Sequence, residues 1–475
     1  MMDATNWVDG FLLQTDSDGS APTTGTLSTA TGNIGLGKDA LESIESGDYN
    51  IAIGYDVADS LTSGSNNVLI GRETGDVLTT GSSNVHVGDN AGRFNTGGNN
   101  TFVGTNAGKR GTTGSSNDNV FVGKSAGGNN TGDENVAIGN LALTYGVGGA
   151  RNVAIGNYAL QDSTASDNIG IGNDAALNIT SGTRNIAIGS LALDAATTDS
   201  DNIAIGYDAL GGAVNGGEKN IAIGNYSLDV LTSGDKNVAI GHEAGSATTT
   251  AGYSTFIGYQ AGYYATTQYQ NTAIGGNALY GATGTVTGGK NTAIGYNALK
   301  VTSTGEYNSS LGNNSLAAVN TGSYNLGIGF GAGDNITSGS NNVMIGGADA
   351  ASATANDQLS ISSGDGSPVW ITGDSNGNVS LNQLADVVAV AGNTVLTQAQ
   401  SGSYVYWTSG TLTLPANTVA GAHFTIFNNT GSSATVAFSS GEAIVSGWAA
   451  NAAVADHDAT SYVCVSTDNW VQVGA

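Results

Sequence analysis

The chain has 475 residues, 74 of them Gly and 3 Pro, and its 38 acidic and 12 basic residues leave a net charge of −26. So few basic residues exclude a nucleic-acid binder, which must neutralise phosphates, and the lone Cys464 excludes a disulfide-stapled domain. No apolar run approaches the roughly 20 residues of a membrane-spanning helix, so no membrane insertion is expected; the 39% of hydrophobic residues fall in strict periodicity, which argues against disorder.

Residues 1–32 precede the periodic region. They carry no basic residue, and the cluster Phe11, Leu12, Leu13 is too short for the apolar core of a secretory signal, so no export signal is expected here. From residue 33 a five-residue pattern recurs: Asn, an apolar residue or Thr, a variable residue, an aliphatic residue, Gly. NIAIG at 50–54, NVLIG at 67–71 and NTFVG at 100–104 are three examples. There are 19 copies, with Gly at 37, 54, 71 and onward to 346; their spacing stays between 16 and 20 residues and is most often 17. The Asn is missing once, where Ser254 stands.

Self-similarity at a fixed period is the signature of a solenoid. The aliphatic residues of one copy, such as Ile51 and Ile53, sit two apart and so share one face of a short strand. The intervening residue points the other way and is mostly apolar too: Ala52, Leu69, Phe102, Phe121, Ala154, Met344. A strand apolar on both faces is covered on both, by the coil interior on one side and most simply by neighbouring chains on the other. Gly ends the strand where the backbone turns. A small-apolar pair follows three and four residues later, Ala142-Leu143 in some copies and Ala107-Gly108 in others, and then a turn rich in Thr, Ser, Gly and Asp. Each unit is one coil that buries its apolar side only by stacking on its neighbours. The recurring Asn (Asn50, Asn152, Asn291) is read as a corner ladder bonding coil to coil, and the Gly (Gly54, Gly156, Gly295) as the turn after it. Pro22, Pro368 and Pro415 all lie outside residues 33–346, as expected where every backbone N–H serves the next coil. Nineteen coils about 4.8 Å apart make an array roughly 90 Å long, a spacer.

The NxAIG repeat resembles the head of trimeric autotransporter adhesins, and NTAIGGNAL at 271–279 and NTAIGYNAL at 291–299 are similar to phage tail fibres. The resemblance covers about two thirds of the chain. It implies a homotrimer with parallel β-solenoid chains side by side, and the missing signal and anchor favour the phage-fibre branch. Residues 1–32 would then attach to other virion proteins of the tail or baseplate, 33–346 would form the shaft and 347–400 a β connector. The alternatives are a bacterial surface adhesin and a tailspike-like polysaccharide depolymerase, the latter disfavoured because the coil spacing leaves no long insertions.

Three short strands are expected in the connector: Leu359–Ser362, Val369–Thr372 and Val379–Leu381. Residues 401–475 read as a small all-β domain with seven strands, similar to β-sandwich modules at phage fibre tips. Four of the five Trp fall in the last 106 residues, Lys300 is the last basic residue, and 11 acidic residues follow it. Such a tip repels polyanions and suits a neutral host glycan or a protein receptor. Tyr404, Tyr406, Trp407 and Trp448 are candidates for stacking on sugar rings, and the trio Asp456, His457, Asp458 for polar contacts; Trp470 and Cys464 read as core, and His423 as structural. The array shows no paired carboxylates on one coil, no metal-ligand spacing among His86, His242, His423 and His457, and no nucleophile elbow. No enzymatic activity, cofactor or metal is expected. His86 holds the variable strand position, which would bring it near the axis of a trimer.

Overall fold

The computed structural model describes residues 11–13, 30–212, 217–281, 284, 286–381 and strand segments between 388 and 473. Every repeat copy forms one coil, and the coils stack into a parallel β-solenoid. Nineteen strands of three residues run from β2 (Ile34–Leu36) to β20 (Val343–Ile345), one per copy. Successive strands pair in parallel and residue for residue, Ile186 opposite Ile203 and Ile203 opposite Ile221. A further strand, β1 (Phe11–Leu13), pairs with β2 in the same sense, so the sheet extends ahead of the repeat. Backbone N–H groups bond alternately to the coil after and the coil before: Val68 donates to the Asn84 carbonyl at 2.8 Å and Gly71 to the Ile53 carbonyl at 2.9 Å. A proline in such a coil would orphan a carbonyl in its neighbour.

The structure decides which of the two strand faces is inward. The central residue of each strand is buried in all nineteen, while the residues flanking it, such as Ile51 and Ile53, are half-buried or exposed. The intervening residue, most often Ala, therefore fills the interior and the aliphatic pair points out. The reason is volume. Ala142-Leu143 and its equivalents occupy the same interior, and a coil of about 17 residues encloses little space. Where the strand residue is Ala, as in Ala137 or Ala154, the residue four after the strand Gly is Leu143 or Leu160. Where the strand residue is a ring, that residue is Gly: a Cβ on Gly108 would lie 2.6 Å from the Phe102 ring, and one on Gly127 would lie 2.3 Å from Phe121. At Gly245 and Gly333 the space is filled from the next coil, by Phe256 and Met344. Interior volume is thus conserved coil by coil, as close packing demands.

His86 belongs to this interior and does not face a trimer axis. It is fully buried and stacks on Phe102 with ring centroids 4.6 Å apart; Phe102 stacks on Phe121 at 4.9 Å. Neither ring nitrogen has a hydrogen-bond partner, and burial pushes the imidazole pKa down to about 3. A base whose folded pKa lies below its unfolded value of about 6.5 costs stability as pH falls from that value towards the folded one. His86→Phe, facing Gly92 as Phe102 faces Gly108, is therefore expected to stabilise the protein by about 2 kcal/mol more at pH 5 than at pH 8. Urea titrations of both chains at the two pH values measure this, and an equal gain at both would show that the imidazole charge plays no part.

The chain divides into two compact units, the first holding residues 1–358 and 364–367, the second the remainder. In the second unit the three expected connector strands are present as β21 (Leu359–Ser362), β22 (Val369–Gly373) and β23 (Val379–Leu381), paired antiparallel. Ten strands follow: β24 (Val388–Val390), β25 (Thr394–Val395), β26 (Tyr404–Trp407), β27 (Leu412–Leu414), β28 (His423–Asn428), β29 (Ala434–Phe438), β30 (Ala443–Ile444), β31 (Ala453–Val454), β32 (Ala459–Ser466) and β33 (Asn469–Val473). They form a six-stranded and a four-stranded sheet. The pairings β24–β26–β28 and β25–β27–β29 are parallel and alternate between the sheets. Antiparallel pairings of β31 with β29, β32 with β28 and β33 with β32 add to these two sheets. Val405, Leu412, Leu414, Phe424 and Ile426 are buried there.

Candidate functional site

The recurring asparagines form a buried ladder, interrupted once at Ser254. Asn50 Oδ1 accepts the Asn67 backbone N–H at 3.0 Å and Asn67 Nδ2 at 2.9 Å, while Asn50 Nδ2 donates to the Gly64 carbonyl at 2.9 Å. Asn152 and Asn291 repeat the arrangement, donating to Ala165 and Gly305. Each amide thereby satisfies polar groups of two coils, which leaves none of it for a ligand. The ladder goes one rung beyond the last NxxIG copy: Gln358 donates its N–H to Asn342 Oδ1 at 2.8 Å and its Nε2 to the carbonyls of Ser352 and Ala355.

What the array offers to a partner is the outward face of its strands. It consists of two columns of Ile, Val, Leu, Thr and Ser, with no charged residue in nineteen coils. Ile34, Leu36, Val85, Val120, Ile138, Ile188, Ile240 and Leu311 are exposed along it. Polar and aromatic residues line both of its borders. The residue before each ladder Asn forms one border, in which Arg151 meets both carboxylate oxygens of Asp167 at 2.7 and 3.0 Å, and Arg184 those of Asp201 at 2.6 and 3.0 Å. Glu134, Arg151, Asp167, Arg184, Asp201 and Lys219 alternate in sign up this edge. Their bidentate geometry holds Asp167 and Asp201 below the usual carboxylate range. The residue after each strand Gly forms the opposite border: here Tyr207 meets Tyr226, which stands two residues after Gly224, edge-on at 5.3 Å, and His242 stacks on Tyr259 at 5.7 Å. Tyr207, Tyr226, Tyr259 and Tyr296 are exposed. An apolar centre between rims that mix polar and aromatic residues is the anatomy of a protein interface.

On the remaining sides of the coils two carboxylates each meet a carboxylate of the next coil. Burial and the Asp76 carboxyl push Asp59 up to about 7, and burial and Asp349 push Asp334 up to about 6. Among the described residues no group of three or more His, Cys, Asp or Glu is placed to hold a metal ion, and no helix is long and apolar enough to cross a membrane.

Of the residues expected at a receptor site, Tyr404, Tyr406 and Trp407 lie on β26, beside β24 and β28; their side chains are outside the described residues, as are Trp448, Asp456, His457 and Asp458. Sequence reasoning passed over the tyrosine column, although Tyr207, Tyr259 and Tyr296 share one position in the repeat, directly after the strand Gly. It also passed over Arg110, whose coil is longer than most of the others. No family model, curated protein or solved structure matches the chain.

Proposed function

We propose that this chain is a fibre protein of a bacteriophage virion, a homotrimer in which the solenoid is the shaft and residues 401–475 contact a glycan or protein of the host surface. Residues 1–32 would join other virion proteins. The observation that carries the reading is the outward strand face: apolar, free of charge over nineteen coils, and set on a chain with a net charge of −26. Exposed apolar surface of this extent marks an interaction site, and a residue-for-residue repeat can meet identical copies of itself around a closed symmetry axis. The similarity of NTAIGGNAL and NTAIGYNAL to fibre repeats supports three chains. The chain acts by adhesion and spacing, without catalysis.

Sedimentation equilibrium of the full chain tests the assembly. The expected mass is three times 47.1 kDa, and a monomer would overturn the fibre reading. Replacing the outward Ile188 and Ile240 by Glu is expected to lower the mass to that of one chain while the circular dichroism spectrum keeps its β signature, because both side chains point away from the coil interior. Removal of residues 401–475 is expected to abolish adsorption to host cells; unimpaired adsorption would leave the protein a structural fibre alone.

A further inference from the structure

Arg110 is the anomaly of the array interior. It lies six residues after the strand Gly104, in a coil of 19 residues between Gly104 and Gly123. The seventh residue after the strand Gly is the inward one in other coils: Leu61, Leu78, Asn95 and Asn130 are all buried there. In this coil the seventh residue is the exposed Gly111, and Arg110, with φ +63°, is buried in its stead, only 6% exposed. Its Nε and Nη1 are buried without a hydrogen-bond partner, which leaves three of the five guanidinium N–H donors unmet.

A guanidinium keeps its charge in any protein, and an uncompensated buried charge is strongly unfavourable. Burial lowers its pKa and Asp133 opposes that only at a distance; the Asp133 carboxylate is itself exposed and accepts the Asn117 N–H at 2.7 Å. The amide oxygens of the neighbouring coils are committed as well. Asn95 Oδ1 accepts the Gly97 N–H at 2.7 Å, and Asn130 Oδ1 accepts the Gly132 N–H at 3.0 Å. Gly114 packs against the guanidinium: a Cβ there would lie 3.2 Å from both terminal nitrogens, so no side chain from this position supplies an acceptor. Gly111, Thr112 and Thr113, which follow Arg110 in the chain, are exposed, so the guanidinium lies just beneath the surface of the coil.

We propose that Arg110 is the centre of a buried binding site for one small oxyanion, sulfate or phosphate, per chain. The anion would supply both the missing acceptors and the missing charge, whereas a water molecule would supply only the acceptors.

The test uses the full chain, with sulfate or inorganic phosphate replacing chloride at fixed ionic strength. The thermal midpoint of the wild type is expected to rise saturably by several degrees as the anion is added, and calorimetry to show one site per chain. Arg110→Met, which fills the same interior volume without charge, is expected to lose the saturable response and to melt no lower than the wild type in chloride. Arg110→Lys keeps the charge without the planar fork and is expected to bind at least tenfold more weakly. A wild-type midpoint that follows the anion no differently from Arg110→Met would overturn the proposal, since sulfate stabilises proteins generally. So would an anion-independent wild type whose oligomer dissociates on Arg110→Met, which would assign the missing acceptor to a carboxylate of a neighbouring chain.

Discussion

Gly156→Ala is expected to destabilise the array by about 3–5 kcal/mol, among the largest effects a single methyl group can have. Gly156 has φ +141°, a region that residues with a side chain rarely enter, and a Cβ there would lie 2.1 Å from the Gly172 carbonyl oxygen and 2.6 Å from its carbon. Both obstacles are backbone, so no rotamer relieves them. Gly172 stands in the same relation to Gly189, at 2.4 Å. The glycine column is therefore what lets coils approach to sheet spacing, and one alanine pries two of them apart. Stability in a solenoid is a chain of neighbour terms, so the urea transition is expected to split in two, with protease cleavage appearing near the lesion. Gly148→Ala is the control. Gly148 has φ +94°, but a methyl group on its Cα would meet nothing within 4 Å, so only backbone strain of about 1–3 kcal/mol is incurred. Equal losses at the two sites would show that conformation, not collision, explains the glycine.

The coil period, the buried asparagines and the strand positions were legible because each depends on residues that repeat in place. The direction of the faces was not, since Ile51 and Ala52 are both apolar and alternation alone cannot rank them. The deciding signal was volume, and it stands in the chain: Leu143 accompanies Ala137, whereas Gly127 accompanies Phe121 and Gly108 accompanies Phe102. Reading that exchange of size across the interior would have placed His86, opposite Gly92, inside the coil. The final rung was hidden because Gln358 replaces Asn and no Gly follows at the fourth position. The parallel pairing among β24 to β29 was hidden for a related reason. Its strands were mostly recognisable singly, but Val388, Val405 and Ile426 align at unequal intervals of sequence, so no period betrayed the pairing. Arg110 falls where two extra residues shift the coil out of phase, and only the backbone shows that it points inward.

Asn152→Ala separates the ladder's hydrogen bonds from its packing. The substitution removes the acceptor of the Asn168 N–H, at 2.9 Å, and the donor to the Ala165 carbonyl, at 2.8 Å. Both backbone groups would be left in a place where Asn152 and Asn168 are fully buried, and each orphan costs about 1–3 kcal/mol. The expected loss is about 2–5 kcal/mol by urea titration. Asn152→Asp keeps the shape and the acceptor but loses the donor and brings a buried charge against the Ala165 carbonyl. A carboxyl so placed is pushed above its usual range, and once protonated it can donate again. The aspartate variant should therefore be poorer than alanine at pH 8 and recover at pH 5, whereas alanine shows no such recovery relative to the wild type. The chain contains its own partial version of this experiment. Where Ser254 interrupts the ladder, the Asn271 N–H reaches a hydroxyl at 3.3 Å instead of an amide oxygen. Hydrogen exchange at Asn271 is expected to be faster than at Asn308, whose N–H meets Asn291 Oδ1 at 2.9 Å. Equal protection at the two amides, together with a neutral Asn152→Ala, would mean that the stacked strands hold the coils together and the amide column merely fills a corner.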